Sequence, residues 1–206
     1  MTAQQLIELV LNESPLDDGA IATLYLQQAL DEFCEETLIL RRKGTITLAS
    51  EALEHEISDP SDIIRLRQVA KGGVQLVNTD APSYLADNNG YWYVKANTPL
   101  TMRVGQWSSG SEVPFKEGTA LDIVYEAYAR KLATDGAGNE DFSVEPEIPR
   151  IFHMALTYRA NEKAFSTSPE MRTYWHALWS DQIKKGKRKA NEMLTNAPIN
   201  PKIYTL

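Results

Sequence analysis

The residues able to do chemistry are few and scattered along the chain. His55, His153 and His176 are the three histidines, and none has a second one at i, i+4 or at the short spacings that metal ligation uses. His153 and His176 approach each other if the helices that carry them pair, although a partly buried structural histidine accounts for each equally well. Cys34 is the single cysteine. It falls inside a helical pattern with no His or Asn in a recognisable relation to it, which leaves no disulfide framework, thiolate metal site or cysteine nucleophile. No serine sits in a nucleophile elbow, and no glycine-rich phosphate loop follows a strand. Asp135 to Asp141 alternates acids only in part, so a flexible linker is a better reading than a calcium loop. The expectation is a protein without catalytic residues, metal or cofactor, and not an enzyme.

One charge cluster stands out. Lys184, Lys185, Lys187, Arg188 and Lys189 put five cations in six residues near the end of a helix, where they can meet phosphate or an acidic partner. At this spacing they wrap the helix instead of forming one stripe. A solvated end that complements the helix dipole therefore remains an equal reading.

At 206 residues the chain is near the upper end of one ordinary domain. Its formal charge of −7 argues against a general nucleic-acid binder, whose affinity rests on cations neutralising phosphates. Apolar stretches end well short of the roughly 20 residues a membrane span needs. The N-terminus has no basic region ahead of an apolar core, so no signal peptide is expected, and a cytosolic folding compartment is implied.

These residues sit on elements that the hydrophobic period marks out. Thr2 caps a short helix with Leu6, Ile7, Val10 and Leu11 on one face. A second runs from Asp17 and Asp18 through Ile21, Leu24, Phe33 and Leu38, with Arg41-Arg42-Lys43 supplying its last turn and Gly44 its C′ position. From Thr45 the period becomes alternating. Strands are predicted at 45–48, 63–69, 74–77, 91–95, 100–104 and 121–128, with turns at Ser58–Asp62, Gly72-Gly73 and Asn88–Gly90. Such spacing predicts a small sandwich or barrel-like unit. Helix returns at Ile148-Pro149 and restarts at Ser168-Pro169-Glu170, with Met171, Tyr174, Trp175, Leu178, Trp179 and Ile183 on one face. The expected class is α+β: a bundle of N- and C-terminal helices (1–44 and 146–195), an inserted antiparallel β-domain (45–134), a linker (135–145) and an extended C-terminal tail (196–206).

Two segments look made for partners. Residues 106–119 read as a long mobile loop or an extended hairpin arm. Its Trp107, Val113, Pro114 and Phe115 are expected to be poorly buried until they contact a neighbouring subunit or tail protein. In the tail, Pro198, Ile199, Pro201, Ile203, Tyr204 and Leu206 offer apolar side chains suited to a sheet edge or a groove on another protein.

The order of elements resembles the head-to-tail adaptor (connector) proteins of tailed bacteriophages, especially short-tailed ones. The resemblance rests on the helix around Gly19 to Leu40, on Ser58-Asp59-Pro60-Ser61-Asp62-Ile-Ile-Arg-Leu-Arg-Gln-Val69 running into Val74-Gln-Leu76, on Leu121-Asp-Ile-Val-Tyr125-Glu-Ala-Tyr128, and on the helix start Ile148-Pro149-Arg150. It implies a structural virion protein of the neck, assembled in the host cytoplasm as a dodecameric ring. That ring would join the portal to the tail nozzle or tail tube and line a channel through which DNA passes. It further implies that the tail docks on the portal. The rival readings are a nucleic-acid-binding regulator using residues 184–189 and an enzyme with a dispersed site.

Overall fold

A computed structural model of the protein describes residues 1–97, 99–134 and 138–195. It divides the chain into two compact units, one of Met1–Leu40 with the chain from Ala129 onward, the other of Arg41–Tyr128.

In the helical unit α1 (Ala3–Glu13) starts at a capping box. The Gln5 N–H donates to Thr2 Oγ1 and the Thr2 N–H to Gln5 Oε1 at 3.0 Å. Two further N–H groups that a helix start leaves without intrahelical partners are met from far along the chain, since Ala3 N donates to Val144 O and Gln4 N to Phe142 O. Part of the predicted linker is thereby fastened to α1. Leu132 N likewise donates to Gln27 Oε1, and Leu132 and Ala133 are buried, so residues 129–134 belong with the helices although the hydrophobic pattern assigned them to the β-domain.

Asp18 caps α2 (Gly19–Thr37), its carboxylate accepting from Ala20 N at 2.7 Å. The helix ends sooner than Arg41–Gly44 predicts. Leu38 takes the left-handed conformation (φ 54°) that glycine usually supplies at a helix end, and Arg41–Lys43 open a strand instead. A 3-10 turn (Arg150–Phe152) leads into α3 (His153–Ala164), and α4 (Pro169–Thr195) begins with proline in its first turn. The helices from both ends of the chain pack on one another. Phe33 is fully buried at their centre, 5.2 Å from the Phe152 ring and 5.8 Å from the Trp179 ring. The buried stripe of α4 is Trp175, Trp179, Ile183, Gly186 and Ala190; Met171 and Tyr174, predicted to lie on it, are exposed because the stripe starts one turn later.

Arg159 ties α3 to α2, donating to Glu32 at 2.5 Å and to Glu162 at 2.6 Å, while Lys163 donates to the other Glu32 oxygen at 2.8 Å. Burial alone would raise the Glu32 carboxyl, but the Lys163 and Arg159 hydrogen bonds outweigh it and hold the group below the ordinary value of 4.5. A depressed carboxyl contributes stability that is complete above 4.5 and is lost as pH falls through the lower folded value. Acid titration of the helical unit will therefore show destabilisation beginning below about pH 4.5, and Glu32→Gln will flatten that limb; an unchanged acid limb in Glu32→Gln would assign it to other carboxylates.

The β unit contains β1 (Arg41–Thr47), β2 (Glu54–Glu56), β3 (Ile63–Lys71), β4 (Val74–Gln75), β5 (Val77–Asn78), β6 (Gly90–Asn97), β7 (Leu100–Ser108), β8 (Ser111–Val113) and β9 (Ala120–Ala127). They form two sheets, β1-β9-β3-β4 and β2-β7-β6-β5 with β8 on β7. Pairing is antiparallel except between β5 and β6. Ile46, Leu66, Val69, Leu121, Ile123 and Tyr125 of the first sheet meet Trp92, Met102 and Val104 of the second in one core, as in a sandwich. The β3–β4 turn uses Gly72 and Gly73 at φ +55° and +80°, the positive values a two-residue hairpin loop requires. No helix among the described residues is long and apolar enough to cross a membrane.

Candidate assembly surfaces

Residues 106–113 are the arms of a β-hairpin. Gln106 pairs with Val113 and Ser108 with Ser111 across a turn at Ser109 and Gly110, both with positive φ. Neighbouring backbone holds the hairpin: Asn88 N donates to Trp107 O, Trp107 N to Asn89 O, and Ser109 N to Asp87 Oδ1. Of the four residues predicted to be poorly buried, Val113 is exposed, Trp107 and Pro114 are half-buried, and Phe115 is corrected. Phe115 is 5% exposed and belongs to the sandwich core, with the Lys71 ammonium 4.0 Å from its ring centroid. A polar run in the sequence hid that its last aromatic turns back inward.

The basic residues Lys184, Lys185, Lys187, Arg188 and Lys189 are exposed on α4. Lys185 pairs with Asp181 at 2.6 Å, Lys187 with Glu36 at 3.4 Å and Lys189 with Glu192 at 3.4 Å. The glycine among them serves packing. A Cβ at Gly186 would lie 2.6 Å from Thr37 Cγ2 and 3.1 Å from Phe33 Cζ, and the Thr37 hydroxyl is already fixed by donating to Phe33 O at 2.7 Å. Gly186 is therefore where α4 crosses α2 closely. Gly186→Val will cost about 1–3 kcal/mol by overpacking, measurable by denaturant unfolding, and a stability within experimental error of the parent would disprove the close crossing.

The histidines do not converge. His55 Nε2 bonds Ala52 O, His153 Nε2 bonds Ile148 O, and His176 Nδ1 faces Glu162 Oε1 at 3.1 Å. Burial pushes the His153 imidazole below its ordinary value. Cys34 is buried. Among the described residues no group of three or more His, Cys, Asp or Glu side chains could hold a metal ion.

Sequence reasoning missed one charged constellation. Glu126 is fully buried although it lies on the side of β9 opposite Leu121, Ile123 and Tyr125. Arg65 Nε reaches its Oε2 at 2.9 Å, Arg67 Nη2 its Oε1 at 2.6 Å, and Arg41 approaches Oε1 at 3.8 Å. A register shift between Leu66 and Gln68 marks Arg67 as the extra residue of a bulge, which keeps Leu66 and Val69 inward while Arg65 and Arg67 both meet Glu126. The run Arg65-Leu66-Arg67 shows the alternation, but neither the bulge nor its carboxylate partner is legible from it.

The tail residues Pro198, Ile199, Pro201, Ile203, Tyr204 and Leu206 lie outside the described residues. A family model described as SU10 adaptor protein matches residues 1–202. No curated protein matches the chain.

Proposed function

The chain belongs to the SU10 adaptor protein family, and from that premise we propose that it forms a ring of twelve copies between the portal and the tail nozzle or tail tube. It is a structural phage adaptor, and its family implies the virion neck and contact with portal and tail components. In the proposed assembly, built in the host cytoplasm, the lumen passes DNA without sequence-specific binding, and the segment Pro198 to Leu206 docks in extended form on the portal. The β7–β8 hairpin, through Trp107, Val113 and Pro114, meets a neighbouring subunit or the next tail protein. The observation that carries the reading is the family match over residues 1–202. An acidic chain, −7 overall, also suits a wall that DNA crosses without sticking.

Mass measurement of the purified chain alone and with candidate portal protein tests this directly. The expected result is a chain that self-associates weakly alone and becomes a closed ring on the portal. A chain that never joins a portal overturns the reading. The rival, a nucleic-acid-binding regulator acting through Lys184 to Lys189, predicts duplex binding that falls steeply as salt rises. Three of those five cations already have carboxylate partners, which favours the adaptor.

A further inference from the structure

Charge is distributed unevenly within the helical unit. Residues 1–40 contain eight carboxylates and no lysine or arginine, whereas residues 184–189 contain five cations. The acids do not all face inward. Along α2, Ile21, Leu24, Gln28, Asp31 and Glu35 recur at three- and four-residue spacing on the side opposite Ala22, Leu26, Phe33 and Thr37, which are buried. Ile21 is 39% and Leu24 53% exposed. This outer stripe is thus apolar in its first half and acidic in its second. Burial foremost, with the charges of Glu35 and Glu32, holds the Asp31 carboxyl above its ordinary range against the hydrogen bond from Gln27, so the acidic half is crowded.

A surface of the opposite kind lies on the same unit. A cleft of about 420 Å³ runs beside α4, lined by Ile151 and Phe152, by the three cations Lys185, Arg188 and Lys189, and by Gln182 and the single carboxylate Glu192. Ile151 is 70% exposed, large for an isoleucine in a helical turn. Arg188 is exposed there. Apolar and cationic groups therefore stand side by side, as apolar and anionic groups do on α2.

We propose that the α2 stripe of one copy docks in the Ile151–Arg188 cleft of the next. Leu24 and Ile21 would cover Ile151, and Asp31 and Glu35 would meet Arg188 and Lys185, the lysine exchanging its exposed Asp181 partner for the new one. The contact joins two different surfaces, which makes it heterologous, and repetition of such a contact closes a ring when its rotation permits. The occupant is a second copy because charge and apolar character complement each other on one chain. This rests on the ring-forming reading above and supplies its subunit contact.

A charge swap tests it. Lys185→Glu with Arg188→Glu reverses the cleft, and Asp31→Lys with Glu35→Lys reverses the stripe. Sedimentation of the full chain at rising concentration in low salt should show self-association that each double variant weakens at least tenfold, roughly the effect of one like-charge contact. An equimolar mixture of the two variants should restore it. A wild-type chain that stays monomeric at every concentration, or a mixture that fails to associate while thermal melts show both variants folded, overturns the proposal. A short duplex titrated in parallel separates the DNA alternative: duplex binding lost in the cleft variant with self-association intact also overturns it. Portal capture measured on the same variants keeps the two readings apart, because capture with unaltered association leaves the adaptor standing and removes this contact.

Discussion

A chain truncated before Pro198 is expected to keep both compact units and to lose attachment to the portal. The described cores are drawn from residues ahead of the removed segment, and among the described residues the last buried side chain toward the C-terminus is Ala190. What the truncation removes is the apolar area of Ile199, Ile203, Tyr204 and Leu206, separated by prolines that restrict the unbound ensemble. At about 25 cal/mol per Å² buried, covering half of these side chains contributes several kcal/mol per copy. Ordering the segment costs on the order of 1 kcal/mol per residue, so the net gain of one tail is small. In the proposed ring the gain multiplies, because once one copy is seated the others bind at high effective concentration. Loss should consequently be all-or-none in head-joining assays while the melting temperature is unchanged. A truncated protein that joins DNA-filled heads with normal efficiency would make the tail a bystander.

How much of this was legible beforehand depends on whether a residue's role was local. Thr2, Asp18 and Pro169 act on their own helix starts, and each sits where its side-chain chemistry predicts. Gly72-Gly73 likewise makes the turn its φ preference foretells. The failures are residues whose partners lie far away in sequence. Arg41 to Lys43 look like the cationic last turn of a helix, but they pair with Val124 to Glu126 on β9. Gly186 looks like a neutral gap in a basic run, and its role depends on Phe33 and Thr37 some 150 residues earlier. Phe115 follows a polar turn, yet it fills the sandwich core. Glu126 reads as one acid in an alternating strand, and Arg67 reaches it through a bulge in a different strand. The α2 stripe and the cleft beside α4 belong to this group too. Their complementarity appears only when helical phase has sorted the acids and cations onto particular faces.

Replacing Phe33 with alanine should be the most damaging single change in the helical unit. The ring is fully buried, contacts the Phe152 and Trp179 rings, and lies against the Gly186 crossing. Elements from both ends of the chain therefore share this one side chain. Phenylalanine-to-alanine changes in such cores cost about 3–5 kcal/mol, against about 5–15 kcal/mol for an entire domain. Relaxation into the cavity is opposed on one side by Gly186, already in close approach, and on another by the hydrogen-bonded Thr37. The cost should fall near the upper end of that range. The β-unit core draws its members from residues 46–127, so hydrogen exchange should accelerate across α2, α3 and α4 first. Protection in β3, β7 and β9 should persist to higher denaturant. Fluorescence of Trp175 and Trp179, read in variants lacking Trp92 and Trp107, would follow the helical transition separately. If both units lose protection at the same denaturant concentration, the chain unfolds as one cooperative body. If Phe33→Ala costs less than about 1 kcal/mol, well under the core range, the aromatic centre of the bundle is not what holds its two chain ends together.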